Sequence, residues 1–176
     1  MNLGQFLLGA GAVAAMAACA SSPKAAPAAG ARSVASIEAR SGSTLAGTAT
    51  FSEMGGGVHV VVDVTGAPPG LHAVHLHEKG DCSAPDATSA GGHFNPTGMP
   101  HGAPDAREHH AGDFGNMTVG ADGHGHMEIH STMLNVAAGP NSVAGRSIIV
   151  HAREDDMTTQ NPPGNAGGRI GCGVVR

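Results

Sequence analysis

Tryptophan and tyrosine are absent from this chain of 176 residues, and phenylalanine occurs only four times. An interior made from such a chain has few rings to stack and must rely on Val, Ile, Leu, Ala and Met. Basic residues are also scarce: nine Lys and Arg stand against 14 Asp and Glu, giving a formal charge of −5. With no run of Lys or Arg, the basic footprint that nucleic-acid binding needs is missing, and that class of partner is excluded. No long stretch repeats apolar residues every 3.6 positions, which argues against a helical bundle. The apolar run at the N-terminus is too short to span a bilayer as a helix.

What the chain does have is 28 glycines, 11 prolines and 12 histidines, most of the last between His72 and His151. Its length fits one domain with appendages. Residues 1–18 (MNLGQFLLGAGAVAAMAA) are apolar and end on small side chains, as in a signal peptide. Met16-Ala17-Ala18-Cys19 is similar to a bacterial lipoprotein cleavage box, in which Cys19 becomes the lipidated first residue; ordinary cleavage after the Ala pair is the alternative. Residues 19–33 carry Ala, Pro and Ser without apolar periodicity and read as a tether, leaving 34–176 as the domain. The expectation is an exported protein of the periplasm or cell envelope, anchored through Cys19.

Three cysteines occur. If Cys19 carries lipid, Cys82 and Cys172 remain, an even pair suited to an oxidising compartment; two free thiols are the alternative. A bond between them would close a loop of roughly 90 residues, which the chain-entropy account values at about 4.6 kcal/mol.

From Val34 onward the sequence reads as short strands broken by Gly and Pro. Leu45, Gly47, Ala49 and Phe51 alternate with polar or small residues, and Met54-Gly55-Gly56-Gly57 turns the chain. Val58, Val60, Val62 and Val64 form the clearest period-2 run, ended by Gly66-Ala67-Pro68-Pro69-Gly70. Leu71–Glu78 follows. Met117–Val119 and His126–Ile129 flank Asp122-Gly123, a hairpin signal. Arg146–Ala152 and Arg169–Val175 complete about eight strands with no convincing helix. The fold class expected is all-β: an eight-stranded antiparallel Greek-key barrel or sandwich. Two long loops, Lys79–Gly112 and Arg153–Gly168, are expected to carry function.

The histidines supply the chemistry. In His75-Leu76-His77, strand periodicity sends both imidazoles to one face while Val74 and Leu76 take the other. His-x-His alone also occurs as surface decoration. The long loop adds His93, His101 and His110, with Asp113 three residues beyond. Three imidazoles and a carboxylate suit tetrahedral Zn²⁺. His151 ends the strand-like run Ser147–His151 and brings one more imidazole to a sheet edge. Four imidazoles in a roughly planar set suit Cu²⁺.

The segments GLHAVHLHEKGDC, SAGGHFNP, HGAP, HHAGDFGN, IIVHAREDD and GNAGGRIGCGVV, in this order, resemble copper–zinc superoxide dismutases of the exported bacterial type. The likeness covers roughly Val34–Arg176. It implies one copper per subunit on His75, His77, His93 and His151, and one zinc on His93, His101, His110 and Asp113. His93 would be shared as a bridging imidazolate. It implies a Cys82–Cys172 disulfide, Arg169 as the active-site guanidinium, and Asp155 as a carboxylate joining a copper-site to a zinc-site histidine, with Asp156 as the alternative for that role. The reaction implied is 2 O₂⁻ + 2 H⁺ → O₂ + H₂O₂ by copper redox cycling, with His93 as both ligand and proton donor and zinc orienting it. The resemblance also admits a homodimer. Two rival readings share the fold: a copper-delivery module without catalysis, and a structural sandwich holding zinc only. The first would be expected to lack a ligand or Arg169, and the second leaves His75, His77 and His151 without a role.

Other histidines read more simply. His72 is expected to be buried, hydrogen-bonded and structural, and His59 exposed on its strand. His109 neighbours a ligand without a partner of its own. Glu78 and Lys79 read as solvated loop charges. His124, His126, Glu128 and His130 fall on one strand face at alternate positions. They form either a plain solvent-facing row, with Met127 and Ile129 turned to the core, or an auxiliary metal site.

Overall fold

The structure is a computed structural model that describes Met1 and residues 30–176. The signal peptide, Cys19 and most of the tether fall on residues 2–29, outside the described residues. Eight strands follow in chain order: β1 (Arg32–Ala39), β2 (Ala46–Met54), β3 (Gly57–Thr65), β4 (Gly70–His77), β5 (Asp113–Val119), β6 (Gly125–Ser131), β7 (Ser147–His151) and β8 (Arg169–Val174). The first begins at Arg32, so the last two residues of the expected tether are part of the sheet. Within the described residues the only helical element is a single 3₁₀ turn, Thr88–Ala90.

All neighbouring strands pair antiparallel and close a barrel in the order β1-β2-β3-β6-β5-β4-β7-β8. The β3–β4 link passes over β6 and β5, and the β6–β7 link passes back over β5 and β4, which makes the barrel a Greek key. The alternation in β3 is the pattern of a half-buried strand. Val58, Val60, Val62 and Val64 are at most 2% exposed, while His59, Val61 and Asp63 turn outward. Ile37, Phe51, Leu76, Phe114, Met117 and Ile148 fill the interior beside them, and with Phe94 three phenylalanines join the aliphatic side chains of the core.

β4 and β7 do not alternate, because both their faces are covered. Val74 and Leu76 face the barrel interior, whereas His75 and His77, also buried, lie beneath the long loops. In β7, Ile148 and Val150 point inward, while Ile149 packs outside the barrel against Ala87, Ala90 and the Cys82–Cys172 disulfide. That bond joins the β4–β5 loop to β8, with Cα atoms 5.9 Å apart. Arg146 also ties the loop down. Its guanidinium donates to Glu78 O at 2.6 Å and stands 4.0 Å above the Phe94 ring.

Two irregularities in the ladder position site residues. Against β4, β5 advances three residues while its partner advances two, so Asp113 stands opposite His75. Gly115 lies in this bulge at φ 84°, a conformation that glycine adopts without steric penalty. Between β7 and β8 a second irregularity sets Arg169 opposite His151. The sequence pattern distinguishes two long loops, but the structure has a third long connection, residues 132–146. Its backbone is held where Val136 N–H donates to Glu53 Oε1 at 2.7 Å.

Candidate metal centre

His75 and His77 leave β4 on the outer face, His151 comes from the end of β7, and His93 descends from the β4–β5 loop, pinned by a bridge to His77. One nitrogen from each of these four rings lies within 4.8 Å of all the others. Their opposite nitrogens are occupied. His75 Nε2–H donates to Asp155 Oδ2 at 2.7 Å, and His77 Nδ1–H donates to Gly91 O at 2.9 Å. His151 Nδ1–H donates to Gly167 O at 3.4 Å. That leaves His75 Nδ1, His77 Nε2 and His151 Nε2 buried with no hydrogen-bond partner. Burying such an atom unpaired costs about 1–3 kcal/mol. Three of them converging, each with its lone pair presented by a hydrogen bond on the far nitrogen, fit a bound cation.

The second group shares His93. Its Nδ1 lies 2.8 Å from Asp113 Oδ1, His110 Nδ1 lies 3.2 Å from the same oxygen, and His101 Nδ1 lies 3.0 Å from Oδ2. The four ligand atoms again fall within 4.8 Å of one another. Asp113 Oδ2 also accepts the backbone N–H groups of His110 (2.9 Å) and Gly102 (3.2 Å). Three imidazoles and one carboxylate are a donor set suited to Zn²⁺.

Asp155 joins the groups. Its side chain is fully buried, with Oδ2 on His75 Nε2 and Oδ1 on His101 Nε2 at 2.9 Å. Asn116 grips it from below, accepting from Asp155 N–H (2.7 Å) and donating to Asp155 O (2.9 Å). Gly164, at φ 66°, lies so close to the Asp155 carboxylate that a Cβ there would collide with it. Asp156 is elsewhere: exposed, it accepts the N–H and hydroxyl groups of Thr158 and Thr159.

The electrostatics follow from burial and partners. Burial would raise the Asp113 carboxyl, but hydrogen bonds from His101, His110 and His93 outweigh it and hold it far below the usual carboxylate range. Asp155 is likewise low, burial being outweighed by His101, His75 and the Met157 N–H. Burial pulls His93 down to about 4, aided by the neighbouring His75 and His101 and opposed by Asp113. Burial also pulls His77 and His151 well below the ordinary histidine value. His101 moves the other way, to about 9, because hydrogen bonds to Asp113 and Asp155 overcome its burial. The low basicity of His77, His93 and His151 leaves their lone pairs available to a metal.

Arg169 stands beside the first group, half-buried. Its guanidinium donates to Ala87 O at 2.7 Å and to Gly91 O at 2.8 Å, which leaves three of its five N–H donors for other partners. Gly91 O thus accepts from both His77 and Arg169. Sequence reasoning does not find Gly91, Ala87 or Gly167, because each acts through a backbone carbonyl. It also does not find Asn116 or Gln160, whose amide both accepts from His101 N–H and donates to His101 O at 2.9 Å.

The remaining histidines lie apart. His72 is buried, its ring nitrogens facing His151 O (2.7 Å) and Pro68 O (2.8 Å). His109 donates to His110 O at 2.7 Å. His126, Glu128 and His130 turn outward from β6 while Met127 and Ile129 pack on the core.

The family profile described as copper/zinc superoxide dismutase matches residues 45–175. A crystal structure of the clock protein EA4 is also similar to this chain. The two are 33% identical with a TM-score of 0.75, over 87% of this chain and 98% of that one. A family-wide sequence match and an eight-stranded Greek-key barrel with two histidine-rich groups agree. The chain belongs to the copper/zinc superoxide dismutase family, oxidoreductases that bind copper and zinc.

Proposed function

We propose that this chain disproportionates superoxide at a copper centre, with copper on His75, His77, His93 and His151 and zinc on His93, His101, His110 and Asp113. The observation that carries the reading is the convergence of the unpaired nitrogens of His75, His77 and His151 beside an anchored Arg169. Copper, when bound, supplies a one-electron acceptor and donor in turn. The protein supplies the rest.

Arg169 keeps free N–H donors beside the first group, and these attract and orient an anion. His93 Nδ1 is engaged with Asp113, so its other nitrogen, Nε2, faces the first group and can hold a proton for the product. Two superoxide anions and two protons yield dioxygen and hydrogen peroxide, so a proton carrier at that position completes the balance. Asp155 holds His75 and His101 in register, so that each group fixes the geometry of the other.

The setting proposed is the cell envelope, with residues 1–18 as signal peptide and 19–33 as a tether lipidated at Cys19. The motif Met16-Ala17-Ala18-Cys19 supports it. An intact-mass measurement of the native protein tests it, and a mature start other than a lipid-modified Cys19 removes the anchor. The dismutation itself is tested by assaying the protein before and after chelation. Activity should vanish on chelation and return when copper and zinc are restored; activity indifferent to chelation would overturn the proposal.

A further inference from the structure

Six of the twelve histidines belong to the two buried groups, and His72 and His109 are bound to nearby carbonyls. The remaining four, His59, His124, His126 and His130, gather on one ribbon, the outward face of β3 and β6 and the turn that enters β6. The ladder register makes His59 and His130 direct cross-strand partners, Val61 and Glu128 the next pair, and Asp63 and His126 the one after. Directly opposed side chains have Cβ atoms about 4.5–5.5 Å apart. Two imidazoles so placed can close on one ion at about 2.0–2.1 Å from each nitrogen.

Glu128 stands between the imidazoles. Its Oε2 lies 3.1 Å from His59 Nε2, and its Oε1 lies 3.2 Å from His126 Nε2. The opposite nitrogen of His126, Nδ1, is fixed on Asp63 Oδ1 at 2.6 Å. His126 therefore holds one carboxylate oxygen still and leaves the other facing His59. His130 leans across β3, its Nε2–H donating to Met54 O at 2.9 Å. It must give up only that one exposed hydrogen bond to turn toward His59.

We infer that this ribbon holds an additional divalent transition-metal ion, with His59, Glu128 and His130 as ligands and His126, braced by Asp63, positioning the carboxylate. Two imidazoles and a carboxylate favour Cu²⁺ over the other divalent first-row ions. The Glu128 side chain is 55% exposed and that of His59 26%, so the site is open and exchanging rather than caged. The inference does not rest on the proposed reading of the buried centre, because the two share no residue.

The test is a Cu²⁺ titration of the fully metallated enzyme, followed by electron paramagnetic resonance and equilibrium dialysis. One further Cu²⁺ per chain should bind, with a spectrum showing imidazole nitrogen coupling. Losing a partner that only orients a ligand costs about 10–100-fold in affinity, so removing two ligands in H59Q/H130Q should cost at least about 100-fold. E128Q should also weaken the site, and dismutase activity should stay unchanged in both variants. Absence of an extra bound ion, or binding that survives H59Q/H130Q, would overturn the inference. So would loss on His126→Gln alone with H59Q/H130Q unaffected, since the ion would then sit on the other side of Glu128.

Discussion

At the scale of single residues, Asp155 shows how little a site leaves to chance. Each of its oxygens takes one imidazole, and its backbone is clamped by Asn116. Asp155→Asn keeps the size of the side chain but turns one acceptor into a donor, which must then oppose an imidazole N–H. Affinity for zinc should fall about 10–100-fold, with copper activity reduced alongside, as metal analysis of the purified variant would register. Unaltered zinc affinity would show that Asp155 is a bystander. The shared face of His75 and His77 is legible in the sequence, since strand alternation sends both to one side and Val74 and Leu76 to the other. The resemblance rather than periodicity favours Asp155 over Asp156, because adjacent residues in an irregular loop have no period to separate them, and the structure sets Asp155 against His75 and His101. Gly91 was hidden for a different reason: its contribution is a carbonyl oxygen, which every residue type has.

At the scale of elements, the strands that alternate were the ones readable in advance. β3 shows its period because one face meets solvent. The sequence pattern marks β5 only at Met117–Val119, whereas the strand starts at Asp113, because the bulge at Gly115 breaks the pattern and the loops cover its first residues. The third long connection, residues 132–146, has no signature in the sequence because it carries no chemistry-bearing motif. The Cys82–Cys172 bond anchors the β4–β5 loop, the source of His93, His101 and His110, to the strand that begins with Arg169. Cys82→Ser with Cys172→Ser should lower stability by about 2–5 kcal/mol. That corresponds to a drop in Tm of roughly 10 °C for a domain of this size. A thermal scan of the metallated pair variant that matches the wild type would assign the loop's rigidity to the metals and to Arg146 instead.

At the scale of the whole molecule, a chain of net charge −5 must draw an anion to its centre. The loop of residues 153–168 contains no Lys, and its one Arg, Arg153, is engaged with Asn165 at the surface, so a local field beside the first group falls chiefly to Arg169 and the metals. Arg169→Glu should cut kcat/KM strongly with metal content intact, and wild-type activity should decline as ionic strength rises. Equal kinetics in the reversed-charge variant would remove Arg169 from the reaction. The two histidine groups meet at one side chain, and the account stands on that sharing. Metal content per chain, measured together with dismutation in the wild type and in His93→Ala, tests it most directly. One copper and one zinc per wild-type chain, with both sites and activity disturbed in His93→Ala, is the result predicted; a variant that keeps its zinc and its activity would contradict it.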